Sequence, residues 1–76
     1  RWEMFDAGIA CQTLCLAAWA KGLGTCIMGI YDEEKVPALL EVPEDQYVTA
    51  IVSMGYPAET PKAPKRKPLE EKIQYV

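Results

Sequence analysis

Histidine is absent from the sequence of 76 residues, and serine occurs only once, at Ser53. A hydrolase site that pairs a serine or cysteine nucleophile with a histidine base is therefore excluded. Cysteine occurs three times, and an odd number leaves at least one thiol outside any disulfide within the chain. The sequence also lacks an apolar run of roughly 20 residues, the length that a membrane span needs. These absences predict a cytoplasmic protein that does not cross a membrane.

The cysteines do not predict a metal centre. Cys11 and Cys15 lie four residues apart, on one face of a predicted helix, as two metal ligands would. Structural zinc takes four ligands, and Cys26 without a histidine does not complete such a set. Small apolar side chains packed inside a helical core are the favoured interpretation. We therefore predict no metal ligand, and no side chain stands out as a catalytic acid, base or nucleophile.

Charge is unevenly distributed along the chain, whose net charge is -3. Four of the basic residues fall close together, at Lys62, Lys65, Arg66 and Lys67. A nucleic-acid site needs a wider basic surface than this, so no nucleic-acid partner is predicted. A solvated, proline-stiffened tail is the simplest interpretation of the cluster. Arg66 is nevertheless the best phosphate ligand in the sequence, because a guanidinium binds phosphate through a fixed fork of donors.

The first part of the chain predicts a helix over residues 4–20 that is apolar on nearly every face. A helix of this kind has to be buried on all sides. Residues 21–76 are too few to cover it, so we expect a partner chain or further sequence to complete the core. The helix should stop at Lys21-Gly22-Leu23-Gly24, where glycine can adopt the left-handed conformation of a helix end.

The rest of the chain predicts short elements separated by turns. Residues 25–30 form an extended run, and Asp32 caps a second helix that Pro37 shortens or distorts. Residues 47–54 are rich in β-branched side chains and predict a buried strand. Residues 57–68 carry most of the prolines and predict an irregular arm. Residues 69–76 are compatible with either a terminal strand or a helical turn.

Six motifs, taken in order and spacing, resemble the nitroreductase superfamily. Residues 6–18 are similar to the family pattern D-x-G-x-A-x-Q-N-L-x-L-A-A, and residues 22–26 to G-L-G-[ST]-C. Residues 27–32 are similar to the segment W-I-G-x-F-D. The segments 42–45, 54–59 and 66–71 complete the series, and the last of them contains the R-K-P motif. Each motif is weak alone, but the ordered series covers nearly the whole chain and is specific.

The resemblance implies an α+β fold, of which this chain is the C-terminal part. The expected elements are a buried dimer-core helix, a sheet strand and an extended C-terminal arm. Residues 1–60 then belong to the flavin domain, and residues 61–76 form the basic, proline-rich arm and terminal segment. Family members are homodimers, so either a second copy or a complementary chain is expected to complete the fold.

The resemblance also implies an FMN site at the dimer interface. The ring is expected against Ile27, Met28, Gly29 and Ile30, and the phosphate against Arg66, with Lys65 beside it. Glycine suits a place where backbone approaches a flat ligand. The family's N-terminal R-x-S-x-R segment, which also binds FMN, is absent from these residues. The remainder of the site would come from sequence or from a chain outside them.

The implied activity is an FMN-dependent oxidoreductase in which NAD(P)H reduces the flavin and a small electron-poor acceptor, such as a nitroaromatic or quinone-like compound, reoxidises it. Two alternatives stay open. One is a nitroreductase-fold enzyme of other chemistry, such as a reductive dehalogenase or a flavin-destroying enzyme. The other is a truncated remnant that only dimerises or binds flavin.

Overall fold

The computed structural model describes residues 1–76. Two helices and two strands alternate along the chain, followed by a single 3₁₀ turn. The elements are α1 (Trp2–Ala20), β1 (Gly24–Met28), α2 (Lys35–Leu39), β2 (Ile51–Gly55) and the 3₁₀ turn Leu69–Glu71. The α+β class expected from the sequence is confirmed.

Helix α1 has the predicted position and starts two residues earlier, at Trp2. Its end is a Schellman motif: the Gly22 amide donates to the Trp19 carbonyl and the Leu23 amide donates to the Ala18 carbonyl, each at 2.9 Å. Gly22 has a φ of 80°, which glycine adopts without the penalty that a Cβ brings. The predicted helix stop is therefore correct, and it turns the chain directly into β1.

Strands β1 and β2 form an antiparallel pair that runs from Gly24 opposite Gly55 to Met28 opposite Ile51. The strand predicted over residues 47–54 is thus shorter, since β2 begins only at Ile51. The extended run predicted over residues 25–30 also differs, because β1 ends at Met28 and leaves Gly29 outside the ladder. Each strand stops where its partner stops, so neither boundary can be read from one strand alone.

The interior of this chain contains a single buried residue, Ala18 in α1. The large side chains of α1 are exposed, with Phe5 at 61%, Leu16 at 61% and Trp19 at 58% of their full accessible surface. As expected, residues 21–76 do not cover the helix. The predicted buried strand is not buried within this chain either, since Met54 in β2 is 47% exposed. Other polypeptide has to cover these apolar surfaces if they are to leave water.

The connection between the strands contains the short helix α2. The helix begins later than predicted, at Lys35 with Glu34 at its N-cap. Asp32 lies just before it, where its Oδ1 accepts hydrogen bonds from the amides of Glu34 at 3.0 Å and Lys35 at 2.8 Å. Pro37 lies at the third of only five helical residues. After β2, residues 57–68 have no regular structure, and the turn at Leu69–Glu71 decides the terminal segment in favour of a helical turn. None of the helices has both the length and the apolar character needed to cross a bilayer.

Candidate functional site

The segment expected to face the flavin ring lies at the end of β1 and just beyond it. Ile27 is 52% exposed and Met28 is 36% exposed, while Ile30 is fully exposed. Ile27 lines a groove against α1 together with Met4 and Val52. Because successive side chains of a strand point to opposite faces, Met28 points away from that groove. Met28, Gly29 and Ile30 therefore offer one surface to a ligand, and Ile27 is turned towards α1.

Gly29 lies in open space within this chain. A Cβ placed on it would meet no atom within 4 Å, and its φ is outside the left-handed region that favours glycine. Neither crowding nor backbone strain inside residues 1–76 therefore requires a glycine here. Close approach of a flat ligand to the backbone would be a reason for glycine here, and the open side of Gly29 leaves room for such a ligand.

The backbone around Gly29 is also free of partners. The hydrogen bonds of turns and loops include none from residues 29–31, and this segment lies beyond the last pair of the ladder. Backbone amides that are taken out of water need a partner. The amides of Gly29 and Ile30 are thus available as donors to a ligand that covers the segment.

Lys65 and Arg66 lie in the irregular arm, and both are exposed. No salt bridge in the structure involves Lys65 or Arg66, so their side chains have no acidic partner. The grooves along β1, β2 and α2 contain neither residue. The structure therefore presents the two cations freely but does not bring them into a common cavity with residues 27–30.

A groove that the sequence did not predict opens at the opposite end of the strand pair, where Gly24 lies opposite Gly55. Its volume is about 730 Å³. It is bounded by Trp19 at the end of α1, by Cys26 and Met54 on the strands, and by the start of the arm at Tyr56 and Pro57. Two stretches distant in sequence, residues 19–26 and 53–61, form it. Gly24 and Gly55 form the pair at this end of the ladder. Because neither carries a side chain, they do not fill the groove.

The three cysteines are free thiols. Burial, and secondarily the neighbouring Cys15, raise the pKa of the Cys11 thiol. A thiol with a raised pKa stays protonated at neutral pH and is a poor nucleophile. No three histidine, cysteine, aspartate or glutamate side chains lie close enough together to hold a metal ion. The candidate site in this chain therefore offers apolar side chains, backbone donors and positive charge.

Comparison with known proteins shows which family has this sequence and fold. The sequence model of the Nitroreductase family matches residues 1–56. The chain is 36% identical over 72 residues to an NADH dehydrogenase of Thermus thermophilus, covering 95% of this chain and 35% of that protein. It is also 36% identical over 61 residues to the 5,6-dimethylbenzimidazole synthase of Rhodospirillum rubrum, covering 80% of this chain and 29% of that protein.

The fold agrees with the sequence match. A crystal structure of a nitroreductase family protein from Streptococcus pneumoniae TIGR4 superposes with a TM-score of 0.90 at 27% identity, covering 96% of this chain and 36% of that chain. The chain belongs to the nitroreductase family, which confirms the resemblance found in the motifs. It spans about a third of the length of the relatives that it matches.

Proposed function

We propose that this chain is part of an FMN-dependent oxidoreductase in which NAD(P)H is the electron donor and a small electron-poor compound, nitroaromatic or quinone-like, is the acceptor. The family supports this chemistry, and the name of the Thermus relative supports a nicotinamide donor. The observation that carries the proposal is the surface at Gly29, which is open, apolar at its edges and free of backbone hydrogen bonds.

Within this site the flavin supplies the redox chemistry, by accepting and passing on hydride equivalents when it is bound. The chain's own residues bind and orient it. Met28 and Ile30 give apolar contact beside the ring, Gly29 lets the backbone approach, and Ile27 supports the strand from the side of α1. Arg66 and Lys65 neutralise the phosphate. No acid or base is needed from this chain, and we assign none.

We further propose that a second copy of the protein covers α1. The exposed stripe of Phe5, Ile9, Leu16 and Trp19 is too large and too apolar to remain in water. The three free thiols suit a reducing, cytoplasmic location. Sedimentation of the intact protein should give a dimer mass. Separately, the 76-residue chain alone should fail to unfold cooperatively as a monomer, and a sharp monomeric transition would contradict the proposal.

The activity is tested on the intact protein that contains this chain. We expect it to purify with FMN and to oxidise NADH or NADPH only when a nitroaromatic or quinone acceptor is present. The gene supplies an independent check, because an R-x-S-x-R segment should be encoded upstream of Arg1. If that segment is missing and the protein binds no FMN, the enzyme proposal fails, and the alternative of a truncated remnant that only dimerises is favoured.

A second candidate follows from the Rhodospirillum relative. Its name assigns it the synthesis of 5,6-dimethylbenzimidazole, and its 36% identity equals that of the NADH dehydrogenase. Sequence identity therefore does not distinguish NAD(P)H-dependent reduction of an acceptor from a different chemistry on the same fold. Chromatography of the reaction mixture separates them. A reduced acceptor with intact FMN supports the first function, whereas 5,6-dimethylbenzimidazole as a product supports the second.

A further inference from the structure

Tyr31 ties together the two strands beyond the end of their ladder. Its phenolic hydroxyl donates a part-buried hydrogen bond to the carbonyl of Val48, 17 residues away in sequence. The last ladder pair is Met28 opposite Ile51, and continuing that register by three residues on each strand places Tyr31 opposite Val48. The hydroxyl therefore joins the two segments at a point where their backbones no longer pair.

Tyr31 is fixed from its other side as well. The next residue, Asp32, accepts hydrogen bonds from the amides of Glu34 and Lys35, which anchors it to the start of α2. The ring of Tyr31 lines a small cavity of about 220 Å³ together with Pro37 and Tyr47. Tyr31 is thus held by the hydrogen bond of its hydroxyl to Val48, by the hydrogen bonds of the adjacent Asp32, and by packing of its ring.

Gly29 and Ile30 form a two-residue bridge between these fixed points. One end of the bridge is Met28, paired in the ladder. The other end is Tyr31, bonded to Val48. The bridge has no backbone hydrogen bond of its own within the turns and loops. The position of Gly29 and Ile30 therefore depends on the two residues at its ends. Replacing Tyr31 with phenylalanine removes one oxygen atom and, with it, the hydrogen bond that fixes one of these ends.

We propose that Tyr31 is a positioning residue for the flavin ring, acting through Gly29 and Ile30 by means of its hydrogen bond to Val48. The inference rests on the proposed flavin site. Tyr31 is not assigned a contact with the ring. The similar family segment, W-I-G-x-F-D, has phenylalanine at this position, so the hydroxyl is the feature that this chain adds to the motif.

The test compares Tyr31→Phe with Tyr47→Phe in the intact protein. Tyr47 is the matched control, because it is adjacent to Val48, lines the same cavity and loses the same atom. Its hydroxyl lies 3.6 Å from the sulfur of Met4 and also interacts with the Glu3 carboxylate, in an exposed position, and it makes no hydrogen bond to residues 29–31. For each protein we would measure FMN affinity, the visible absorption and midpoint potential at saturating FMN, and amide hydrogen exchange of residues 29–31 without FMN.

Loss of one neutral hydrogen bond should raise the FMN dissociation constant of Tyr31→Phe about two- to tenfold. Its flavin absorption bands and midpoint potential should shift even when the site is saturated, and exchange at residues 29–31 should accelerate. Tyr47→Phe should behave as the wild type in all of these measurements. The flavin spectrum distinguishes positioning from stability, because a role confined to folding would lower the melting temperature and leave the saturated spectrum unchanged.

Two outcomes would overturn the inference. If Tyr31→Phe binds FMN with the affinity, spectrum and potential of the wild type, the proposed function stands and the positioning role is wrong. If the wild-type protein binds no FMN, both proposals fail together. The exchange data would then still show whether the hydroxyl holds residues 29–31 in place.

Discussion

The two segments proposed to bind FMN are held in the fold in different ways. Residues 27–30 extend from a paired strand and end at the anchored Tyr31. Lys65 and Arg66 lie in an arm without regular structure, and no acidic side chain pairs with them. The ring segment is therefore shaped before any ligand arrives, whereas the arm has to be ordered by its contacts. Shape selectivity should come from the first segment and electrostatic affinity from the second.

The largest loss of FMN affinity is expected from a substitution within residues 27–30. Gly29→Val adds three carbon atoms to the surface that the ring would cover, and intrusion of this kind costs up to about 3 kcal/mol, roughly a hundredfold in FMN affinity. The dimer should persist because α1 is not involved. Bound FMN per subunit and molecular mass would be measured together, with Gly29→Ala as the graded variant.

An unchanged Gly29→Val protein would point to the competing interpretation, in which the glycine only marks the end of a strand. The open space around its Cβ position makes this a fair test, because nothing in residues 1–76 opposes the valine. A variant that keeps its full complement of FMN would remove residues 27–30 from the ring site.

A somewhat smaller loss of affinity is expected from Arg66→Ala. Removal of a charge-assisted hydrogen bond to phosphate costs roughly 1.5–3 kcal/mol, about ten- to a hundredfold in affinity. Turnover at saturating FMN should be nearly unchanged, since the phosphate lies far from the reacting part of the flavin. Lys62→Ala, in the same exposed arm, is the matched control and should change the affinity little. Equal losses from both variants would show that the arm acts by net charge alone.

The smallest effect is a difference in salt dependence. Raising the ionic strength from about 0.1 M to about 1 M shortens the screening length from about 10 Å to about 3 Å. FMN binding by the wild type should weaken a few-fold over this range because exposed cations hold the phosphate. Arg66→Ala should show a weaker salt dependence, because Lys65 remains, and Gly29→Ala should keep the dependence of the wild type. Titrations of the three proteins at both salt concentrations would measure the difference, and parallel responses would contradict the division of roles.

Most of the secondary structure could be predicted from the sequence because its signals are local. The apolar run before Lys21 and the left-handed Gly22 define α1. Asp32 accepts amide hydrogen bonds just before α2, although the helix itself begins only at Lys35. Strand boundaries were less accurate, since β2 starts at Ile51 only because β1 ends at Met28. The groove beside Trp19 was missed because distant segments form it. How Arg66 lies relative to Gly29 in the assembled site depends on polypeptide beyond this chain, which no pattern within residues 1–76 describes.

We propose that this chain contributes part of an FMN site that other polypeptide completes. The most direct test is the amount of FMN bound by the intact protein and by the 76-residue chain, each measured by fluorescence titration at equal concentration. We predict about one FMN per subunit for the intact dimer and no saturable binding for the chain alone. An intact protein that binds no FMN, or an isolated chain that binds it as tightly as the intact protein, would contradict the proposal of a shared FMN site.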